Sequence, residues 1–114
     1  MCRRTSGHFV AATACAIEDL RLQSARALRW YQSSARARRG FCETCGSQLF
    51  WEPQGGTYVA IAAGSLDAPT GLRAIEHIYV AEAGDYYEIS DGLPHKIAGR
   101  NSSEVPIDRS HRDR

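Results

Sequence analysis

The chain has 114 residues, of which 43% are hydrophobic and 24% are charged, and its formal net charge is +1. This length suits one compact domain and excludes two full domains. No apolar run approaches the roughly 20 residues that a membrane helix requires. No apolar segment follows the basic N-terminal residues, as it would in a secretory signal. We therefore expect one domain that is located in the cytoplasm.

The two parts of the chain carry opposite charge. Residues 1–40 contain eight arginines and two acidic residues, whereas residues 41–100 contain three basic and eight acidic residues. Such asymmetry is found on surfaces that bind nucleic acid, but oppositely charged halves of one small fold also neutralise each other. We favour neutralisation, so nucleic acid is not an expected partner.

The first predicted elements are short strands. Residues 8–15 are rich in small and β-compatible side chains, and residues 28–33 mix aromatic and polar positions, which indicates two strands. Between them, residues 17–22 support no more than a helical turn. Helices therefore contribute little to the predicted fold.

The later elements continue this pattern. Residues 48–51 and 57–63 predict a hairpin, because the glycine pair at 55–56 lies in the connection. Residues 74–80 predict one more strand from their alternating side chains. Together these segments predict a mainly β domain.

The C-terminal residues differ from the rest in composition. Residues 100–114 are polar, with only two aliphatic side chains. Segments of this kind do not bury enough apolar surface to fold. We therefore predict a domain over residues 1–99 and a disordered tail over 100–114.

The strongest chemical motif is the C-x-x-C pair formed by Cys42 and Cys45, which Gly46 follows. A two-residue gap lets both thiolates approach one zinc ion at about 2.3 Å, and a small following residue leaves room for the turn. The alternative is a redox dithiol, but that motif lies between a strand and a helix, whereas strands are predicted on both sides here. The pair therefore predicts half of a tetrahedral zinc site.

Other residues could complete such a site. Cys2 lies beside Arg3 and Arg4, whose positive charge favours the thiolate that binds a metal. Cys15 is interpreted as a small buried apolar residue of the first strand. The histidines are also possible ligands, although each is more often an ordinary core or surface residue: His8, His77, His95 and His111.

Five segments together resemble the CENP-V/GFA family, the glutathione-dependent formaldehyde-activating enzymes and their relatives. They occur in the family's order and spacing, at residues 2–7, 39–50, 63–67, 76–80 and 91–94. The resemblance implies a small domain of stacked, bent antiparallel sheets that carries zinc at a structural site and at a catalytic site. It assigns Cys42 and Cys45 to the structural zinc and Cys2 to the catalytic cluster.

The sequence departs from the family pattern at its start. It begins where the catalytic cluster ends, so two cysteines of that cluster and the early C-x-C pair do not occur in it. We therefore expect an N-terminally truncated member in which each zinc has lost about half of its ligands.

The family's activity is addition of the glutathione thiol to formaldehyde, whose reverse is a carbon–sulfur lyase reaction. The resemblance therefore implies a small aldehyde and a thiol as substrates and Zn²⁺ as cofactor, with Arg3 and Arg4 attracting the anionic thiol. His77 is a candidate for the lining of the same pocket.

Two alternatives remain open. One is a non-catalytic zinc-binding remnant, in which Cys2 and either Cys15 or His8 join the C-x-x-C pair. The less favoured one is a zinc ribbon that binds nucleic acid through arginines and aromatic residues. The residues that motivate it lie close together in the sequence: Arg26, Arg29, Arg36, Arg38, Arg39, Trp30 and Tyr31.

Overall fold

The computed structural model describes residues 2–97, and it describes side chains from residue 4 onward. The predicted domain boundary at residue 99 and the predicted tail over 100–114 lie outside the described residues. No helix in the described range has the length and apolar character that crossing a bilayer requires.

The fold is one five-stranded antiparallel sheet, which a five-residue helix, α1 (Cys2–Ser6), precedes. The strands are β1 (Ala12–Ala16), β2 (Leu28–Tyr31), β3 (Ala37–Cys42), β4 (Gln48–Pro53) and β5 (Tyr58–Ala62). Their order in the sheet is β1-β5-β4-β3-β2. The prediction of a mainly β domain is confirmed, and the described residues contain one sheet rather than the stacked sheets that the resemblance implied.

The predicted hairpin corresponds to β4 and β5, which pair Phe50 with Ile61 and Trp51 with Ala60. The predicted helical turn is a single 3₁₀ turn over Ile17–Asp19. The predicted strand over residues 8–15 starts only at Ala12, because the rings of His8 and Phe9 pack on Tyr87 and His77 instead.

The prediction of a strand over residues 74–80 is wrong. This segment has one isolated parallel bridge, between His77 and His95, and it ends at Tyr79 in the left-handed conformation, with φ of 54°. A 3₁₀ turn, Val80–Glu82, follows. The alternating side chains of residues 74–80 do not form a strand because this backbone, as described, pairs with neither edge strand of the sheet and, outside the 3₁₀ turn, bonds only to residues 94–96.

The core is small and lies mainly on β1 and β5. Val59 is 1% exposed, and the register places it opposite Cys15. Ala14 and Ala16 on β1 are also buried, as is Tyr58 on β5. The only buried polar or charged residue among the described side chains is His77, at 8% exposure.

A second packing centre crosses β2, β3 and β4 at Gly40. The register places Gly40 opposite Trp30 on β2 and opposite Phe50 on β4. The two rings stack with centroids 6.0 Å apart, and the Arg38 guanidinium lies 3.8 Å from the Trp30 ring centroid. This packing supports the end of β3, where Cys42 is located.

Candidate functional site

Cys42 is the last residue of β3, and Cys45 lies in the turn that connects β3 to β4. The Cys42 amide donates to the Ser47 carbonyl at 2.9 Å, and the Gly46 amide donates to the Cys42 carbonyl at 2.7 Å. Gly46 has φ of +79°, a left-handed conformation that glycine adopts without a steric penalty. These bonds close a tight turn around the two cysteines, which is the local structure that the C-x-x-C-G motif predicted.

Ser47 stabilises the ionised form of Cys45. Its hydroxyl oxygen lies 3.1 Å from Cys45 Sγ. This hydroxyl first, then the Ser47 amide and the Cys42 thiol, lower the pKa of Cys45 by hydrogen bonding to the thiolate. Sequence reasoning missed Ser47, although a hydroxyl two residues after a metal-type cysteine is the signal that could have identified it.

The surroundings of the turn are partly charged and partly apolar. Glu43, between the two cysteines, forms an ion pair with Arg29, with Nε and Oε2 2.8 Å apart. On another side, Cys42 borders a groove of about 260 Å³ whose lining includes Leu28, Leu49 and Phe50. Cys42 therefore lies at the edge of a mainly apolar recess that has room for a small molecule.

A second group of potential ligands lies in the segment that follows β5. His77, Asp91 and His95 each place one ligand atom within 4.8 Å of the other two. His77 Nε2 is 2.6 Å from Asp91 Oδ2, and this contact first, then the Leu93 amide, lowers the pKa of Asp91. The sequence marked His77 and His95 as separate candidates, but it gave no reason to join them to Asp91.

The described part of the chain does not bring the remaining sequence candidates to Cys42 and Cys45. His77, Asp91 and His95 form its only group of three or more potential metal ligands. Cys15 lies on β1, three strands away from β3, which is about 14 Å at usual strand spacing. Among the residues described, neither Cys15 nor His8 therefore completes a site with the C-x-x-C pair.

The N-terminal candidates are described only in part. The side chains of Cys2 and Arg3 lie outside the described residues, and the Arg4 side chain is exposed. The segment that follows them contacts the second cluster: the Tyr86 hydroxyl donates to the Gly7 carbonyl, and the Phe9 and His77 rings lie 5.3 Å apart. The motif at residues 2–7 is therefore connected to the part of the chain that carries His77.

Two of the arginines that motivated a nucleic-acid ribbon are paired with glutamates. Arg29 pairs with Glu43, and Arg38 lies 3.2 Å from Glu52. Arg38 also covers the face of Trp30. These pairs reduce the positive charge that the sheet could offer to a phosphate backbone.

The thiols of Cys15 and Cys45 are expected to differ in reactivity. Burial, followed by the charges of Asp19 and Glu18, raises the pKa of Cys15, whereas hydrogen bonds lower that of Cys45. Because the thiolate is the reactive form, iodoacetamide should alkylate Cys45 at lower pH than Cys15 in metal-free protein. Peptide mass spectrometry across a pH series measures both rates.

Ser47→Ala provides the control for this prediction. It should move the alkylation of Cys45 to higher pH and leave Cys15 unchanged, because Ser47 contacts only the first of these thiols. Equal pH profiles for Cys45 and Cys15 in the unmodified chain would contradict the stated role of Ser47.

Comparison with known proteins identifies the family. Residues 1–82 match the sequence profile of the family described as glutathione-dependent formaldehyde-activating enzyme, which is more than two thirds of the chain. No curated protein and no solved structure shows significant similarity to the chain. The matched range includes the turn with Cys42 and Cys45, and it also includes His77. The chain therefore belongs to the glutathione-dependent formaldehyde-activating enzyme (GFA) family.

Proposed function

We propose that this protein binds zinc through Cys42 and Cys45 and catalyses addition of a thiol, such as glutathione, to formaldehyde or another small aldehyde. The observation that carries the proposal is the family match over residues 1–82. In the opposite direction the reaction is that of a carbon–sulfur lyase. Cys2 is proposed as a further zinc ligand.

The donor set at the β3–β4 turn fits zinc at two of its four positions. Both donors are thiols, which zinc prefers, and the turn that holds them is closed by backbone hydrogen bonds. The hydrogen bonds that lower the pKa of Cys45 favour the deprotonated form that a metal requires. The residues present are therefore compatible with the zinc that the family implies.

The reaction itself requires one new bond. The thiol sulfur bonds to the carbonyl carbon, the carbonyl π electrons move to oxygen, and that oxygen receives the proton lost by the thiol. When bound with an open position, zinc supplies Lewis-acid stabilisation of negative charge on sulfur or oxygen. Arg3 and Arg4 attract an anionic thiol such as glutathione electrostatically.

The proposal is tested by the rate of S-hydroxymethylglutathione formation from glutathione and formaldehyde. Nuclear magnetic resonance exchange measurements separate the catalysed rate from the spontaneous one. Zinc-loaded protein is expected to exceed the spontaneous rate, and the variant with Cys42→Ser and Cys45→Ser should return to it. Cys15→Ser is the matched control and should retain the rate, because Cys15 lies away from the turn.

A rate equal to the spontaneous one in protein incubated with zinc would reject the enzymatic proposal. Zinc content measured on the same sample would then decide whether the protein is a non-catalytic zinc-binding protein. Bound zinc that is lost in the Cys42→Ser and Cys45→Ser variant would support a non-catalytic zinc-binding protein, and no bound zinc would also remove that alternative.

A further inference from the structure

We propose a second, thiol-free metal site formed by His77, Asp91 and His95, which takes one first-row divalent transition-metal ion. The three ligand atoms lie within 4.8 Å of one another. Two imidazole nitrogens and one carboxylate oxygen suit ions such as Zn²⁺, Co²⁺ or Fe²⁺, whereas Mg²⁺ and Ca²⁺ prefer oxygen ligands alone. This inference does not depend on the proposed reaction or on zinc at Cys42 and Cys45.

Backbone hydrogen bonds fix the two histidines beside each other. The His77 amide donates to the Pro94 carbonyl at 2.9 Å, and the Lys96 amide donates to the His77 carbonyl at 2.8 Å. This bridge places the His77 and His95 rings edge to face, with centroids 5.3 Å apart. The protein backbone itself therefore brings the two nitrogen donors together without the help of a metal.

A local turn holds the Asp91 carboxylate beside the two histidines. Its Oδ1 accepts the Leu93 amide at 3.0 Å, which leaves Oδ2 directed at His77 Nε2, 2.6 Å away. Two ligands of a tetrahedral zinc, each about 2 Å from the ion, are separated by roughly 3.3 Å. Binding therefore replaces the hydrogen between this nitrogen and oxygen by the ion, and these two atoms have to separate by roughly 0.7 Å. The ligand atom of His95, within 4.8 Å of both, approaches the ion by adjustment of its exposed side chain.

Burial is unequal within the cluster in the way that an accessible metal site requires. His77 is 8% exposed and packs edge to face on the Phe9 ring, 5.3 Å between centroids. Asp91 and His95 are exposed. One side of the site is therefore fixed and apolar, while the other side is open to solvent for entry of the ion and for additional ligands such as water.

Cobalt binding to protein that lacks the zinc-type thiols tests the proposal. In the full chain with Cys2→Ser, Cys42→Ser and Cys45→Ser, we expect one Co²⁺ per chain, with visible d–d absorption but no sulfur-to-cobalt charge-transfer band. Adding Asp91→Asn or His95→Gln should weaken binding at least about ten-fold, because loss of even an outer-shell partner of a ligand has an effect of this size. His8→Gln is the matched control and should leave binding unchanged, since His8 packs on Tyr87 and is not a member of the cluster.

The proposal is overturned if this thiol-depleted chain binds no Co²⁺, or if Asp91→Asn and His95→Gln leave the affinity unchanged. In either case the cluster is a hydrogen-bonded group only. Circular dichroism checks that each variant is folded. Should a variant fail to fold, the imidazole ¹⁵N resonances of the unsubstituted chain decide: Zn²⁺ should shift those of His77 and His95 but not that of His8, and unshifted resonances for the first two would reject the site.

Discussion

Cys42→Ser is expected to weaken metal binding at the β3–β4 turn by more than about 100-fold, since replacing an outer-shell partner alone costs 10- to 100-fold. The serine hydroxyl is neutral at pH 7 and is a much poorer ligand for zinc than a thiolate. In cobalt-loaded protein the sulfur-to-cobalt charge-transfer band should become weaker, because one thiolate ligand fewer contributes to it. Titration of the apoprotein with Co²⁺, followed in the near ultraviolet, measures this effect.

Cys15→Ser is the matched control for Cys42→Ser. It replaces another half-buried thiol, but on β1, where no second cysteine is near in the described residues. It should leave the charge-transfer band unchanged. A band that keeps its intensity in Cys42→Ser and disappears in Cys15→Ser would mean that the thiolate site is located on the opposite edge of the sheet.

Gly40→Val is expected to lower the free energy of unfolding by about 1–3 kcal/mol, the usual effect of overpacking. A Cβ atom at Gly40 would lie 3.1 Å from side-chain atoms of Trp30 and Phe50 and 3.2 Å from one of Leu28. Valine favours extended backbone, so a loss of stability reports the steric conflict rather than a poor strand former. Urea denaturation of metal-free protein measures the change.

Gly64→Val controls for the general effect of replacing a glycine. Gly64 is exposed in the 3₁₀ turn Ala63–Ser65, and a Cβ atom there has no neighbour within 4 Å among the described residues. This variant should change the free energy of unfolding by no more than about 0.5 kcal/mol. Equal losses in both variants would show that Trp30 and Phe50 adjust freely around position 40.

Local sequence patterns predicted most of the strands but not all of them. The hairpin of β4 and β5 follows from two β-rich segments around a glycine turn. In contrast, β3 contains Arg38, Arg39 and Gly40, which have little intrinsic preference for a strand. It forms because β2 and β4 supply hydrogen-bonding partners on both of its sides, and such partners are a property of the tertiary fold.

The wrong prediction of a strand over residues 74–80 also arises because pairing partners are a property of the tertiary fold. Their alternation is that of a strand, but alternation only describes which side chains could share a face. A strand also needs a neighbouring chain over its length, and in this fold the segment's backbone bonds, outside the 3₁₀ turn that follows, only to the short stretch 94–96 around the His77–His95 bridge. The part of the chain that looked like a sixth strand therefore positions His77 instead.

By itself, the sequence determined the family, the mainly β class and the thiol pair, because the spacing of Cys42 and Cys45 and the glycine after them define a local turn. Only the tertiary structure decided that Cys15 lies apart from this pair and that His77, Asp91 and His95 lie together. Asp91 and His95 follow His77 by 14 and 18 positions in the sequence. The three side chains come together through one backbone bridge and one turn at Asp91. Short spacing constrains a site directly, whereas distant residues converge only when the whole chain has folded.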